Sequence, residues 1–270
     1  MRNKYIRYIA GFILFALILL SFSYSKILLL LASCFFIIIV NIEYRSMLKN
    51  KEIYPHKILP EVVGILCAYI FIFHDFPKDH IYITPIIITG ILLSFILTVI
   101  RNRKPYFLTS MSTIASILFT ICGLYIIKLT YFFDKFSSLY LIIVYFIAVL
   151  SGDFMASIVG PKIKPTYIAP EISPNKTLAG SLANLTITCI ICLFYHKFID
   201  MPILYCIFAG FIISISSQFG DLTISTIKRD LGIKHSSNLF FEYGGLLDRM
   251  DSFLFSAPIF YYFLCFLYFF

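Results

Sequence analysis

The sequence predicts an all-α fold, a polytopic integral membrane helical bundle with about nine transmembrane helices. Three observations lead there. Of 270 residues, 60% are hydrophobic and only 13% are charged, whereas a soluble domain of this size is nearer half apolar and a quarter charged. That much apolar surface exceeds what one globular core hides. The apolar residues also fall into runs close to the roughly 20 residues that cross a bilayer. Finally, the basic residues alternate between crowded and sparse connections, as topology in a membrane demands.

The runs lie at 8–23, 26–42, 60–74, 84–100, 107–127, 138–152, 180–195, 202–221 and 253–270. The first two are parted only by Tyr24-Ser25 and read as a tight hairpin. Arg2, Lys4 and Arg7 precede the first run as they would in a signal peptide. No small-x-small cleavage site follows and a second span begins at once, so the run reads as a retained span. If the N-terminus is cytoplasmic, only Lys26, Lys78, Lys128, Lys135 and Lys197 of the 22 Lys and Arg fall on the outside. The rest lie inside, which favours a cytoplasmic N-terminus. Two inside loops are long, 153–179 and 222–252. The chain thus divides into N-terminal transmembrane helices, 1–135, and a C-terminal transmembrane region that holds both long loops, 136–270. The N-terminal part holds no recognisable motif.

Several function classes drop out. The net charge of +8 suggests nucleic acid only until the basic residues are placed: they separate apolar runs rather than forming a basic face. The seven cysteines all lie inside apolar runs, and Cys189-x-x-Cys192 reads as small buried hydrophobes rather than a redox pair. The five histidines lack zinc-ligand spacing.

The acids carry the signal. Asp75, Asp79, Asp134 and Asp200 fall in outside loops and read as solvated. Asp153, Asp221, Asp248 and Asp251 each stand where an apolar run meets a cytoplasmic loop. A carboxylate at membrane depth is costly unless paired or bound to a cation. One such acid marks a helix end; four at one face suggest a hard-cation site. Asp248 and Asp251, three apart, share a face on a helix. Mg²⁺ takes oxygen ligands, often one or two carboxylates plus substrate phosphates. Lys228, Arg229 and Lys234 follow Asp221, while Lys162, Lys164 and Lys176 crowd the other long loop. Carboxylates for metals and bases for phosphate oxygens suit a metal-bridged polyphosphate. Ser173-Pro174-Asn175-Lys176-Thr177 adds hydroxyls, a rigid turn and a cation at the start of a helix near 178–180, and a helix N-terminus attracts anions. Gly244-Gly245 admits close approach of backbone to ligand. Phosphate transfer involving a lipid is the reaction class these residues imply.

Ser225-Thr226-Ile227-Lys228-Arg229, then Lys234, then Gly244-Gly245-Leu246-Leu247-Asp248-Arg249-Met250-Asp251 resembles the signature of the phosphatidate cytidylyltransferases, S-x-x-K-R … K-D … H-G-G-x-x-D-R-x-D. Upstream, Asp153-x-x-Ala156 with Gly160, and Ser173-Pro174-Asn175-Lys176-Thr177 with Gly180, resemble the family's D-x-x-A-Y-x-x-G and S-P-x-K-T-x-E-G stretches. The likeness is detailed over 150–252. Departures are His235 for Asp, Tyr243 for His, Phe241 for Pro, Ser157 for Tyr and Ala179 for Glu.

The resemblance implies the reaction CTP + phosphatidate → CDP-diacylglycerol + pyrophosphate, in phospholipid biosynthesis. It implies a catalytic set of Asp221, Lys228, Arg229, Asp248 and Asp251, with Asp221, Asp248 and Asp251 as metal ligands. It implies substrate binding by Ser173, Lys176, Thr177, Ser225, Lys234, Gly244, Gly245 and Arg249. The cofactor it implies is Mg²⁺, as two divalent sites or one divalent and one monovalent cation. CTP, phosphatidate and membrane lipid would be the partners, nucleic acid would not be one, and a homodimer is compatible. The location would be a bacterial inner membrane with a cytoplasmic site. The rival readings are a related CTP-dependent lipid enzyme (a polyprenol or phytol kinase, or an ether-lipid cytidylyltransferase), a transporter, and a catalytically silent homologue. A transporter should carry polar residues at mid-membrane in several spans; here mid-span polarity is modest, as with Asn184, Thr186 and Thr188 in one run and Ser214, Ser216 and Ser217 in another.

Overall fold

Backbone inside a bilayer must satisfy its own hydrogen bonds, and the apolar runs accordingly appear as helices in the computed structural model, which describes residues 25–74, 78–102, 104–133, 135–163, 166–237 and 244–269. The helices are α1 Lys26–Lys49, α2 Leu59–Phe73, α3 Lys78–Arg101, α4 Tyr106–Thr130, α5 Lys135–Val159, α6 Leu178–Cys192, α7 Phe194–Ile199, α8 Ile203–Asp230 and α9 Leu247–Phe269. Among the described residues no strand forms; Tyr167 and Thr177 make an isolated antiparallel bridge.

Seven helical stretches among the described residues are long and apolar enough to cross a membrane, with α6 and α7 counted as one stretch. Helix α2, at 15 residues, falls short of the usual span length. The run 8–23, with Arg2, Lys4 and Arg7, lies outside the described residues. Many outward side chains on these helices are apolar, such as Val99 and Leu204, 77% and 62% exposed. An exterior of that kind needs hydrocarbon rather than water around it. The protein is an integral membrane protein.

Two helices run past the edges that hydropathy draws. Helix α5 continues to Val159 and α8 to Asp230, so Asp153 and Asp221 stand within helices and not at the start of loops. Helix α9 likewise begins at Leu247, before the apolar run at 253. Hydropathy marks where a chain leaves hydrocarbon, but helical hydrogen bonding continues as long as no breaker intervenes. Polar residues can therefore occupy the last helical turns.

The chain falls into two compact units, Met1–Lys128 with Asp230–Arg249, and Leu129–Arg229 with Met250–Phe270. In the first, α2 packs on both α1 and α3. A polar knot ties α1 to α4: Asn41 Nδ2 donates to Thr120 Oγ1 at 3.1 Å, and Ser116 Oγ donates to Asn41 Oδ1. Arg45 reaches from α1 to Glu61 of α2 at 2.9 Å.

In the second unit α5 packs along α6 and α7. Tyr145 stacks on Phe260, ring centroids 5.6 Å apart, and its hydroxyl meets Ser256 Oγ at 2.7 Å. Thr177 caps α6, its hydroxyl accepting from Gly180 N at 3.1 Å. The Ser173–Thr177 stretch thus stands at the start of this helix, where the sequence places it.

Helices α8 and α9 touch backbone to backbone at Gly220. A β-carbon there would collide with the Asp251 carbonyl and sit 3.3 Å from Phe255 Cβ. A Gly220→Ala chain should therefore lose about 1–3 kcal/mol, the usual cost of overpacking. Thermal unfolding in detergent measures it, and an unchanged midpoint would show that the two helices separate freely.

Candidate active site

Within the second unit the long loop after α5 is folded back on itself. Ile168 N donates to Lys176 O at 3.1 Å and Leu178 N to Thr166 O at 2.8 Å. Ser173 to Lys176 closes as a turn, Lys176 N donating to Ser173 O at 3.2 Å. This geometry delivers the Lys176 ammonium to Asp221 on α8, Nζ to Oδ2 at 2.9 Å, with side chains 24% and 28% exposed. Lys176 Nζ also donates to the Gln218 carbonyl at 3.3 Å. Ser225 Oγ, one turn on, donates to Asp221 Oδ1 at 3.3 Å. Arg229 braces the same loop, Nε donating to Ile172 O at 3.1 Å.

Asp153 sits on a polar track across the helices of this unit. It accepts from Asn184 Nδ2 at 3.2 Å and from Ser252 Oγ at 2.9 Å. Asn184 Oδ1 in turn accepts from Ser214 Oγ at 2.7 Å. Gln218 Nε2 donates to Ser214 Oγ at 3.0 Å, and Ser181 Oγ donates to Gln218 Oε1. The mid-span polar residues Asn184 and Ser214 are thus hydrogen-bonded to one another and to an acid, as buried polar groups must be. Asp251, 5% exposed, accepts from Ser252 N at 2.8 Å.

Within the first unit, Asp248 is 6% exposed and heavily solvated by protein donors. Its Oδ2 accepts from Ser236 N at 2.8 Å, Ser236 Oγ at 3.0 Å and Gly245 N at 3.1 Å. Gly244 has φ +86, a left-handed conformation that glycine adopts without penalty. A side chain there would meet Asp248 Oδ2 and, at 3.2 Å, His235 Nδ1. The Gly-Gly pair thus serves the close approach of its own carboxylate. Asp248 and Asp251 stand one turn apart on α9.

The sequence-predicted residues therefore sort as follows. Lys176, Asp221 and Ser225 come together, with Arg229 and the Ser173 turn bound to the same loop. Gly244, Gly245 and Asp248 come together around Ser236. Thr177 spends its hydroxyl on the helix cap. Lys228 is half-buried near the end of α8, Arg249 is half-buried on α9 and Lys234 is exposed. Tyr243 and Phe241 lie outside the described residues, as does Lys164.

One acid escaped sequence reasoning. Glu43 of α1, 2% exposed, accepts from Leu246 N and Leu247 N, each at 2.8 Å, and from Ser237 Oγ at 2.7 Å. Its signal was an acid directly after the run 26–42, at the lip of an apolar segment. No spacing rule links it to a motif 200 positions on.

Oxygen donors and nearby ammonium and guanidinium groups fit a hard divalent cation with polyphosphate. Among the described residues no three His, Cys, Asp or Glu side chains gather into a metal cluster. The protein would then supply one or two carboxylates, and phosphate oxygens and water the rest, the usual arrangement for Mg²⁺.

Comparison with known proteins bears on this chemistry directly. The chain is 30% identical over 213 residues to the phosphatidate cytidylyltransferase of Bacillus subtilis (strain 168), covering 76% of this chain and 78% of that one. It is 31% identical over 216 residues to the phosphatidate cytidylyltransferase of Rickettsia bellii (strain RML369-C), covering 70% of this chain and 92% of that one. It is 37% identical over 115 residues to the uncharacterized protein YnbB of Escherichia coli (strain K12), covering 42% of this chain and 39% of that one. The model of the Cytidylyltransferase family matches residues 5–267. A match that runs from the first apolar run through α9, and so takes in both groups of acids and bases, shows that this chain belongs to the cytidylyltransferase family.

Proposed function

We propose that the protein is a phosphatidate cytidylyltransferase, an enzyme that makes CDP-diacylglycerol for phospholipid synthesis. A phosphate oxygen of phosphatidate bonds to the α-phosphorus of CTP, the bond from that phosphorus to the bridging oxygen breaks, and pyrophosphate leaves. The observation that carries this reading is whole-length family membership combined with about 30% identity over most of the chain to relatives so named. A lipid substrate explains why charged groups stand beside apolar helices: the acyl chains stay in hydrocarbon while the headgroup meets a soluble nucleotide.

By the resemblance, Asp221, Asp248 and Asp251 would share the holding of two cations, two divalent or one divalent and one monovalent, whose chemistry would be to neutralise charge on the attacking and leaving oxygens. Lys228, Arg229, Lys234 and Lys176 hold phosphate oxygens, with Ser173 and Ser225 as hydroxyl donors. Such catalysis is mostly positioning and electrostatics. The excess of Lys and Arg on one set of loops supports a bacterial inner-membrane location with this site at the cytoplasmic face. A homodimer is the assembly the resemblance supports.

Purified protein in detergent, given labelled CTP and phosphatidate, should make CDP-diacylglycerol with Mg²⁺ and stop when a chelator is added. Folded protein that makes none would redirect the assignment to another lipid acceptor or to a silent homologue. Product insensitive to chelation would remove the metal from the reading.

A further inference from the structure

We propose that Glu43 is a positioning residue for the transfer reaction, a two-sided carboxylate clamp that holds the start of α9 and so aims Asp248. This rests on the assignment of Asp248 to the reaction made above.

The geometry is specific to a carboxylate. Oε1 accepts from Leu246 N at 2.8 Å and Ser237 Oγ at 2.7 Å, and Oε2 accepts from Leu247 N at 2.8 Å and Ser236 Oγ at 3.3 Å. Each oxygen therefore faces a backbone N–H, which can only donate. A glutamine in the same place would set its NH₂ against one of those N–H groups whichever way it turned. An anion at this place also suits the N-terminal end of α9, where amides lack helical partners and the helix dipole is positive.

The clamp and Asp248 share parts. Ser236 donates its hydroxyl to Glu43 Oε2 and to Asp248 Oδ2, at 3.3 and 3.0 Å. Gly245 has room for nothing larger, because a β-carbon there would collide with Glu43 Oε1 and Ser236 Oγ. Its own N–H goes to Asp248. Every donor around Asp248 that these bonds define is thus held, directly or through one residue, by an acid on α1. Glu43 itself is only 2% exposed, so its effect passes through the groups it shares with Asp248.

The test compares Glu43→Gln with Glu43→Asp. A shape-filling role predicts that Gln, the isostere, is the better tolerated. A clamp predicts the reverse: Asp keeps two acceptor oxygens, and Gln loses kcat by about tenfold or more with little change in KM for phosphatidate, the scale of one lost charge-assisted hydrogen bond. Hydrogen exchange of a peptide covering 244–249 supplies a readout independent of turnover. Exchange should accelerate at Leu246 and Leu247 in the Gln variant while α5 and α6 stay protected. Gln equal to or better than Asp in turnover, or unchanged exchange at 244–249, would overturn the clamp. If the Gln chain does not fold, Ser237→Ala takes its place: it removes one donor and leaves both backbone contacts. It should show the same exchange signature at smaller amplitude, and wild-type exchange there would sink the proposal. If wild-type protein makes no CDP-diacylglycerol, exchange still decides the clamp, and the failure belongs to the assigned reaction.

Discussion

Asp248→Asn should abolish cytidylyl transfer while leaving the protein folded. Three donors converge on one oxygen of Asp248, from Ser236 N, Ser236 Oγ and Gly245 N. An asparagine that places its carbonyl oxygen there keeps all three, and its amide nitrogen takes the other position. The isosteric change thus removes charge and preserves shape. Its cost in stability should stay near 1 kcal/mol, the net worth of an ordinary hydrogen bond. Its cost in rate should be about a thousandfold, since a metal-held negative centre is worth several kcal/mol at the transition state and each 1.36 kcal/mol is tenfold. Asp248→Ala separates the two effects: it strands buried backbone donors at Ser236 and Gly245, and should lower both the unfolding midpoint and the rate. Turnover in Asp248→Asn within tenfold of wild type would sink the metal role of this residue, whatever the rest of the site does.

How much of this was legible follows from the kind of information each feature needs. Composition and run length are local, so the all-helical membrane class, the helix start at Leu178 and the shared helix for Asp248 and Asp251 could be read directly. Helix ends past the apolar runs could not, because α8 continues through Leu222–Asp230, where Thr, Ser and charged residues interrupt the apolar run. The motif identified Asp248 but not its environment. Ser236 lies in the chain between Lys234 and the Gly-Gly pair and has no motif standing. Glu43 belongs to a stretch with no motif at all, and its role depends on a contact 203 residues away along the chain. Long-range pairing of that sort leaves one trace in a sequence, a charge where burial forbids an unpaired one. The same holds for Asn184 and Ser214: their apparent mid-span polarity resolves into a network that reaches Asp153.

The Lys176–Asp221 pair should couple weakly in stability and strongly in catalysis. The two side chains meet at 2.9 Å, but each keeps about a quarter of its exposure. Pairs of that kind contribute about 1 kcal/mol or less to folding, because water screens them and ordering two side chains offsets the gain. A purely structural pair therefore predicts small losses in Lys176→Met and Asp221→Asn, and recovery in the double variant once neither charge lacks its partner. Separate duties in the reaction predict something else. Lys176 would hold a phosphate oxygen and Asp221 a cation, and the resting contact would store both groups until the metal–nucleotide arrives. Each single variant should then lose about 10–100-fold or more in kcat/KM for CTP, the scale of a charge-assisted contact to phosphate. The double variant should be no better than the worse single, as groups that act as a unit behave. Measuring kcat/KM and unfolding midpoints in all four proteins closes the cycle. A double variant more active than either single would reduce the pair to scaffolding. Near-equal midpoints with activity lost in every variant would instead place both residues on the substrates.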